Sequence, residues 1–186
     1  TVAIDITADD FALFGLPRRF ALDRDALDTR WRELQSLVHP DRHVGRDAQS
    51  QRIAMQQSVR VNEAHRRLRD PLRRAAYLCE LRGAPIDAER NTAMPREFLM
   101  HQMQWREALE EATTQEALER IDRDVESTRA GLMTRVAAAL DAPDRSGSVA
   151  TDSADAADAA QAVRALMFVE RFRDDLDARH HALHDL

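Results

Sequence analysis

The 186-residue chain carries 27 arginines, no lysine and 33 carboxylates, for a formal net charge of −6. It has one cysteine, nine aromatics and no apolar run near the ~20 residues that span a bilayer. These numbers exclude a disulfide framework, a multi-cysteine metal or cluster site and a membrane helix, and they argue against a nucleic-acid-binding face. No signal peptide is visible, so a cytoplasmic protein is expected. Glycine and proline together number 11, about 6% of residues and roughly half the usual share. No alternating β-branched run occurs, so the reading is all-α. The charge is uneven: residues 1–83 hold 15 arginines and 12 carboxylates, residues 84–186 hold 12 and 21.

In chain order, Thr7 with Asp10 has the spacing of a capping box, and Gly15 supplies a stop for a short first helix. Asp23 is placed to cap a second helix over 24–38. Its Leu27, Trp31, Leu34 and Val38 form one apolar stripe. Pro40 ends it, because a proline pushes its predecessor out of the α region. A third helix over 48–69 has Ala54, Ser58, Val61, His65 and Leu68 on its inner face. Together these make a helical hairpin with His39-Pro40-Asp41 in its loop. Asp70-Pro71 opens a fourth helix and Gly83 closes it. Residues 84–93 are predicted to be the linker between a domain over 1–83 and another over 94–186.

The second domain starts with a helix over 95–112. Thr113 and Glu116 form a capping box for a long helix over 114–141, with a core stripe of Leu118, Ile121, Val125, Leu132, Val136 and Ala139. Residues 142–158, rich in Asp, Ser and Pro, read as a polar loop. A last helix over 159–184 carries the stripe Ala162, Leu166, Val169, Phe172, Leu176, which completes a three-helix bundle. The helix near residue 100 has two faces. Phe98, Gln102, Trp105, Leu109 and Ala112 make a core face. Leu99, Met100 and Met103 lie on another face, among Arg106, Glu107, Glu110 and Glu111. From the residues alone, that second face either binds a protein or packs on a neighbouring helix or on the first domain.

His39-Pro40-Asp41 in such a loop is either a bare helix stop or a stiffened carboxylate offered to a partner's arginine. The context resembles the J domain of DnaJ-like co-chaperones. The resemblance extends to Phe11-Ala-Leu-Phe14-Gly15-Leu16-Pro17, Gln56-Gln57-Ser58 with Val61-Asn62-Glu63-Ala64, Leu68-Arg-Asp70-Pro71-Leu72, and Phe98-Leu99-Met100-His-Gln-Met103-Gln-Trp105-Arg106-Glu107. Those runs cover nearly the whole chain and are similar to the HscB co-chaperones, the J-proteins of iron–sulfur cluster assembly. The resemblance implies an N-terminal J domain that engages an HscA-type, DnaK-like chaperone and stimulates its ATPase. The surface would be His39, Pro40, Asp41 and Arg42, with Arg30 and Arg32 beside the loop. Arg42 stands where the family usually has lysine. The resemblance also implies that Leu99, Met100, Met103, Arg106, Glu107, Glu111 and Phe168 dock an IscU-type scaffold protein.

No cofactor or metal is implied, nor an enzyme. His39 and Asp41 fail as a catalytic pair, since Pro40 sends their side chains apart and an exposed loop excludes no water. His180, His181 and His184 read as a solvated helix end rather than a metal site. The run Arg66, Arg67, Arg69, Arg73, Arg74 reads as no nucleic-acid face in an acidic chain. Cys79, beside Tyr77, Leu78 and Leu81, reads as a buried thiol. The alternative is a J-protein with a different client, or a general binder of unfolded chains, which would need a broader apolar surface.

Overall fold

The computed structural model describes residues 4–39, 45, 47–141 and 149–184. These hold seven helices: α1 Asp10–Phe14, α2 Arg24–Val38, α3 Ala48–Arg69, α4 Pro71–Leu81, α5 Arg96–Glu111, α6 Gln115–Leu140 and α7 Val149–His184. The all-α expectation holds among them. They form two compact units, Thr1–Tyr77 and Leu78–Leu186, so α4 crosses the division.

Local chemistry sets the helix ends. Asp9, not Thr7, caps α1, its Oδ1 accepting from the backbone N–H groups of Phe11 and Ala12. Thr7 turns back on Asp5 instead. Gly15, at φ 64°, closes α1 with the left-handed conformation that costs glycine little. Asp23 caps α2 as expected, and the Asp70 carboxylate accepts from Arg73 N at the start of α4. Thr114, not Thr113, caps α6 by accepting from Ala117 N. The largest departure is α7. It begins at Val149, so 149–158 is helix where a loop was expected. The stretch is alanine-rich, and alanine is the best helix former. Ala156, Ala159 and Ala160 are buried, and the Asp158 carboxylate pairs with Arg135 of α6.

In the first unit Phe11, Phe14, Leu27, Val61, Ala64 and Leu68 are buried to 2% exposure or less. Trp31 and Leu34 of the expected stripe are half-buried. At the centre sits a charge: Asp10, with 0% exposure. Its carboxylate accepts from Arg60 Nη1 at 2.7 Å and Arg67 Nη1 at 3.0 Å. Its backbone N–H donates to the Tyr77 hydroxyl at 3.0 Å. Arg60 also donates to the carbonyls of Ile6 and Ala8. Arg74, 6% exposed, donates to the carbonyls of Phe20 and Leu68.

The second unit packs α6 along α7, with α5 laid against them. Leu118, Val125, Val136, Leu166, Val169 and Leu176 are within 1% of full burial, and Leu140 is buried where Ala139 was expected. Residues 84–93, expected to be a linker, belong to this unit. Arg164 of α7, 5% exposed, donates to the carbonyls of Ile86 and Ala93 at 2.8 and 3.0 Å and ties the segment down. Burial pulls that guanidinium below the usual arginine range. Burial also pushes the Cys79 thiol up to about 11.

Two outcomes follow. Asp10→Ala removes the shared acceptor of two partly exposed guanidiniums and should cost about 1–3 kcal/mol, read as a lower melting temperature. Cys79 should resist alkylation in the native protein at pH 8, where its thiolate fraction is on the order of one in a thousand, and react once urea unfolds the chain.

Candidate protein-binding surfaces

The first candidate surface is at the tip of the α2–α3 hairpin. His39 ends α2 with extended backbone at φ −59° and ψ 128°, the conformation a following proline demands. Pro40, Asp41 and Arg42 lie outside the described residues. Arg30 and Arg32 are exposed on α2, as placed from the sequence. Neither is a bare cation: Arg30 pairs with Glu33 at 3.0 Å, and Arg32 Nε donates to the Asp28 carbonyl.

The second surface is on α5. The helix turns Phe98 and Trp105 inward at 1% and 3% exposure, with Ala112 at its end. Gln102 and Leu109 of the expected core face are half-buried, and Gln102 Nε2 donates to Met94 Sδ. The opposite side exposes Leu99, Met100 and Met103 at 47%, 66% and 75%. Among the described residues no helix covers them, which goes against the reading in which this face packs within the bundle. Arg106, Glu107 and Glu111 are exposed around them.

Phe168 is placed differently from its expected companions. It is half-buried, edge-on to Phe98 at 5.7 Å and stacked on Phe172 at 6.2 Å. Phe98 meets Trp105 edge-on at 5.8 Å, and Trp105 stacks on Phe172 at 5.4 Å. The Arg106 guanidinium lies 5.5 Å above the Phe168 ring. Phe168 is therefore one corner of a closed four-ring aromatic column joining α5 to α7, and Arg106 covers that corner. Trp105 is held at its polar edge by Asp124, which accepts from Nε1 at 2.6 Å. Sequence periodicity placed these rings on helix faces but gave no sign of Asp124.

The signals discounted from sequence have internal roles. His180 Nε2 lies 2.7 Å from Asp122 Oδ2 across α6 and α7. Arg67 and Arg74 serve the first unit's interior. No cluster able to hold a metal occurs among the described residues, and no described helix is long and apolar enough to cross a membrane.

Comparison with known proteins fixes the family. Residues 94–177 match the family model described as the HSCB C-terminal oligomerisation domain. The co-chaperone protein HscB homolog of Cupriavidus taiwanensis is 44% identical over 170 residues, covering 90% of each chain. That of Burkholderia cenocepacia is 44% identical over 176 residues, covering 95% of this chain and 96% of its own. The chain belongs to the HscB co-chaperone family. The chaperone HscB from Vibrio cholerae superposes with a TM-score of 0.74 at 29% identity, over 95% of this chain and 99% of that one. Human co-chaperone protein HscB gives 0.81 at 27% identity, over 96% and 85%. The family architecture is a J domain followed by a C-terminal helical bundle.

The two sides of α5 differ in what they support. Trp105→Ala should destabilise the bundle by about 3–5 kcal/mol, as for a core aromatic. Phe168→Ala should also lower the melting temperature, because it removes a ring from the column. Met103→Ala and Leu99→Ala should leave the melt within about 0.5 kcal/mol of wild type, as for exposed side chains.

Proposed function

We propose that this HscB co-chaperone binds an IscU-type scaffold protein and brings it to an HscA-type, DnaK-like chaperone whose ATPase it stimulates, promoting iron–sulfur cluster maturation or transfer in the cytoplasm. It does so as an adaptor, without chemistry of its own. The reading is carried by the three apolar side chains of α5, exposed at 47–75% on a helix whose other side is core. An apolar patch kept in water, with flexible methionines at its centre and carboxylates at its rim, is built for a protein partner. The patch is only a few side chains wide, which favours one client over many unfolded chains. Leu99, Met100 and Met103 supply its centre, Glu107 and Glu111 its rim, and Arg106 of α5 with Phe168 of α7 its edge. The J domain's share falls to His39, Pro40, Asp41 and Arg42, with Arg30 and Arg32 along α2. Linking both contacts in one chain raises the effective concentration of client at the ATPase.

The test separates the two contacts. Leu99→Ala with Met103→Ala should weaken scaffold binding in calorimetry by about 1–2 kcal/mol per side chain, with the melt unchanged. Asp41→Asn should abolish single-turnover ATPase stimulation and leave scaffold binding intact. Wild-type binding by the first variant, or wild-type stimulation by the second, would reject the corresponding half of the reading.

A further inference from the structure

The chain has six methionines, and their surroundings divide them. Met94, Met133 and Met167 are half-buried, and the Met94 sulfur accepts a hydrogen bond from Gln102 Nε2 at 3.0 Å. Met55 stands in water on α3, at 53% exposure. Met100 and Met103 are the most open of the six, at 66% and 75%. They neighbour each other at i and i+3 on α5, in the centre of the apolar patch. An accessible thioether sulfur is oxidised by peroxides to the sulfoxide, which is polar. The one thiol of the chain does not compete: Cys79 is buried, and burial pushes it up to about 11, so little thiolate forms at neutral pH. A leucine at either place would offer similar apolar area without an oxidisable atom.

We propose, resting on the scaffold reading of this face, that Met100 and Met103 form a reversible oxidation site at which a peroxide makes the centre of the patch polar and releases the scaffold. The sulfur lone pair attacks one peroxide oxygen, and the S–O bond forms as the O–O bond breaks. The departing hydroxide takes the proton left on the transferred oxygen, so hydrogen peroxide yields one water for each sulfoxide. Sulfur gives up two electrons and the peroxide gains them. The new S–O dipole is satisfied by water while the face is open. A bound partner excludes that water from the middle of the patch, and a polar group buried there unpaired opposes binding. The bundle keeps its packing, because Phe98 and Trp105 hold α5 from its other side. A methionine sulfoxide reductase with a dithiol reverses the change: the oxygen leaves as water and the dithiol closes to a disulfide.

Limited treatment of the full-length chain with hydrogen peroxide, quenched with catalase, tests it. Peptide mass spectrometry should find Met100 and Met103 converted ahead of Met94, Met133 and Met167. Calorimetry against an untreated IscU-type scaffold protein should show affinity lowered about tenfold or more by the treatment, with the thermal melt unchanged. Incubation with dithiothreitol and the reductases for both sulfoxide epimers should restore it. Met100→Leu with Met103→Leu should bind equally before and after peroxide, whatever its own starting affinity, while Met55→Leu should lose affinity on treatment as wild type does. Conversion of the half-buried methionines first, equal binding by treated and untreated wild type, or a loss that persists in M100L/M103L would overturn the proposal. So would a lowered melt or a loss that the reductases cannot restore, since either would mean damage to the fold. Absence of scaffold binding by the untreated chain would reject the scaffold reading itself, and this site with it.

Discussion

The first unit depends on one buried carboxylate. Asp10 has no exposed surface, yet it sits in a five-residue helix too short to be stable alone. Its ion pairs with Arg60 and Arg67 fasten that helix to α3, and the Tyr77 hydroxyl fastens the same turn to α4. Arg60 extends the clamp to the carbonyls of Ile6 and Ala8, so the chain before α1 is held by the same side chain. Desolvating a carboxylate is expensive unless its lone pairs are well met. Here two guanidiniums share it and keep part of their own surface in water. The gain is specificity: a methyl group in that place would bury as well but would not dictate which turn of α3 the first helix meets.

The same device recurs with backbone in place of carboxylate. Arg74 and Arg164 are nearly buried, and each spends its fork on main-chain carbonyls outside regular helix ladders. Irregular segments leave carbonyls without partners, and a buried carbonyl left unpaired costs about 1–3 kcal/mol. A guanidinium can meet two or three of them at once. In a chain whose only long cations are arginines, the connections before α2 and before α5 are stapled in this way. That is why 84–93, with the composition of a linker, is part of the second unit.

The helices and their order were legible in the sequence because apolar periodicity and short-range caps carry them. Asp23 and Asp70-Pro71 mark their ends correctly since the cap and its target lie within three residues. Thr7 and Thr113 failed because a neighbour, Asp9 or Thr114, offered the better acceptor, and periodicity alone cannot choose between adjacent caps. The start of α7 was missed because Asp and Ser signal a loop, while the burial of Ala156 and Ala159 that makes the segment helical depends on α6. Both apolar sides of α5 could be read from the 100° step. The half-buried place of Phe168 follows from its position on the flank of the α7 stripe, but its contacts with Phe98 and Phe172 could not be read, since they join two helices. The internal duties of Arg60, Arg67 and Arg164 rest on contacts 50 or more residues apart, where no local pattern reports them.

These constraints explain why the proposed scaffold surface can sit on α5 without weakening the bundle. A helix that binds on one side and packs on the other needs the packing side to hold it alone. Phe98, Trp105 and Ala112 supply that through aromatic contacts with α7 and the Asp124 hydrogen bond. Leu99, Met100 and Met103 then carry no share of the fold, and their identity is free to suit a partner. Methionine is apt at such a point because its three rotors adapt to a partner's contour at little cost. Phe168 belongs to both sets. Its ring is half inside the column, with Arg106 over the exposed part, so a partner reaching it must displace or share that guanidinium. Affinity at this edge is therefore coupled to the packing of the bundle, while affinity at Met100 and Met103 is not.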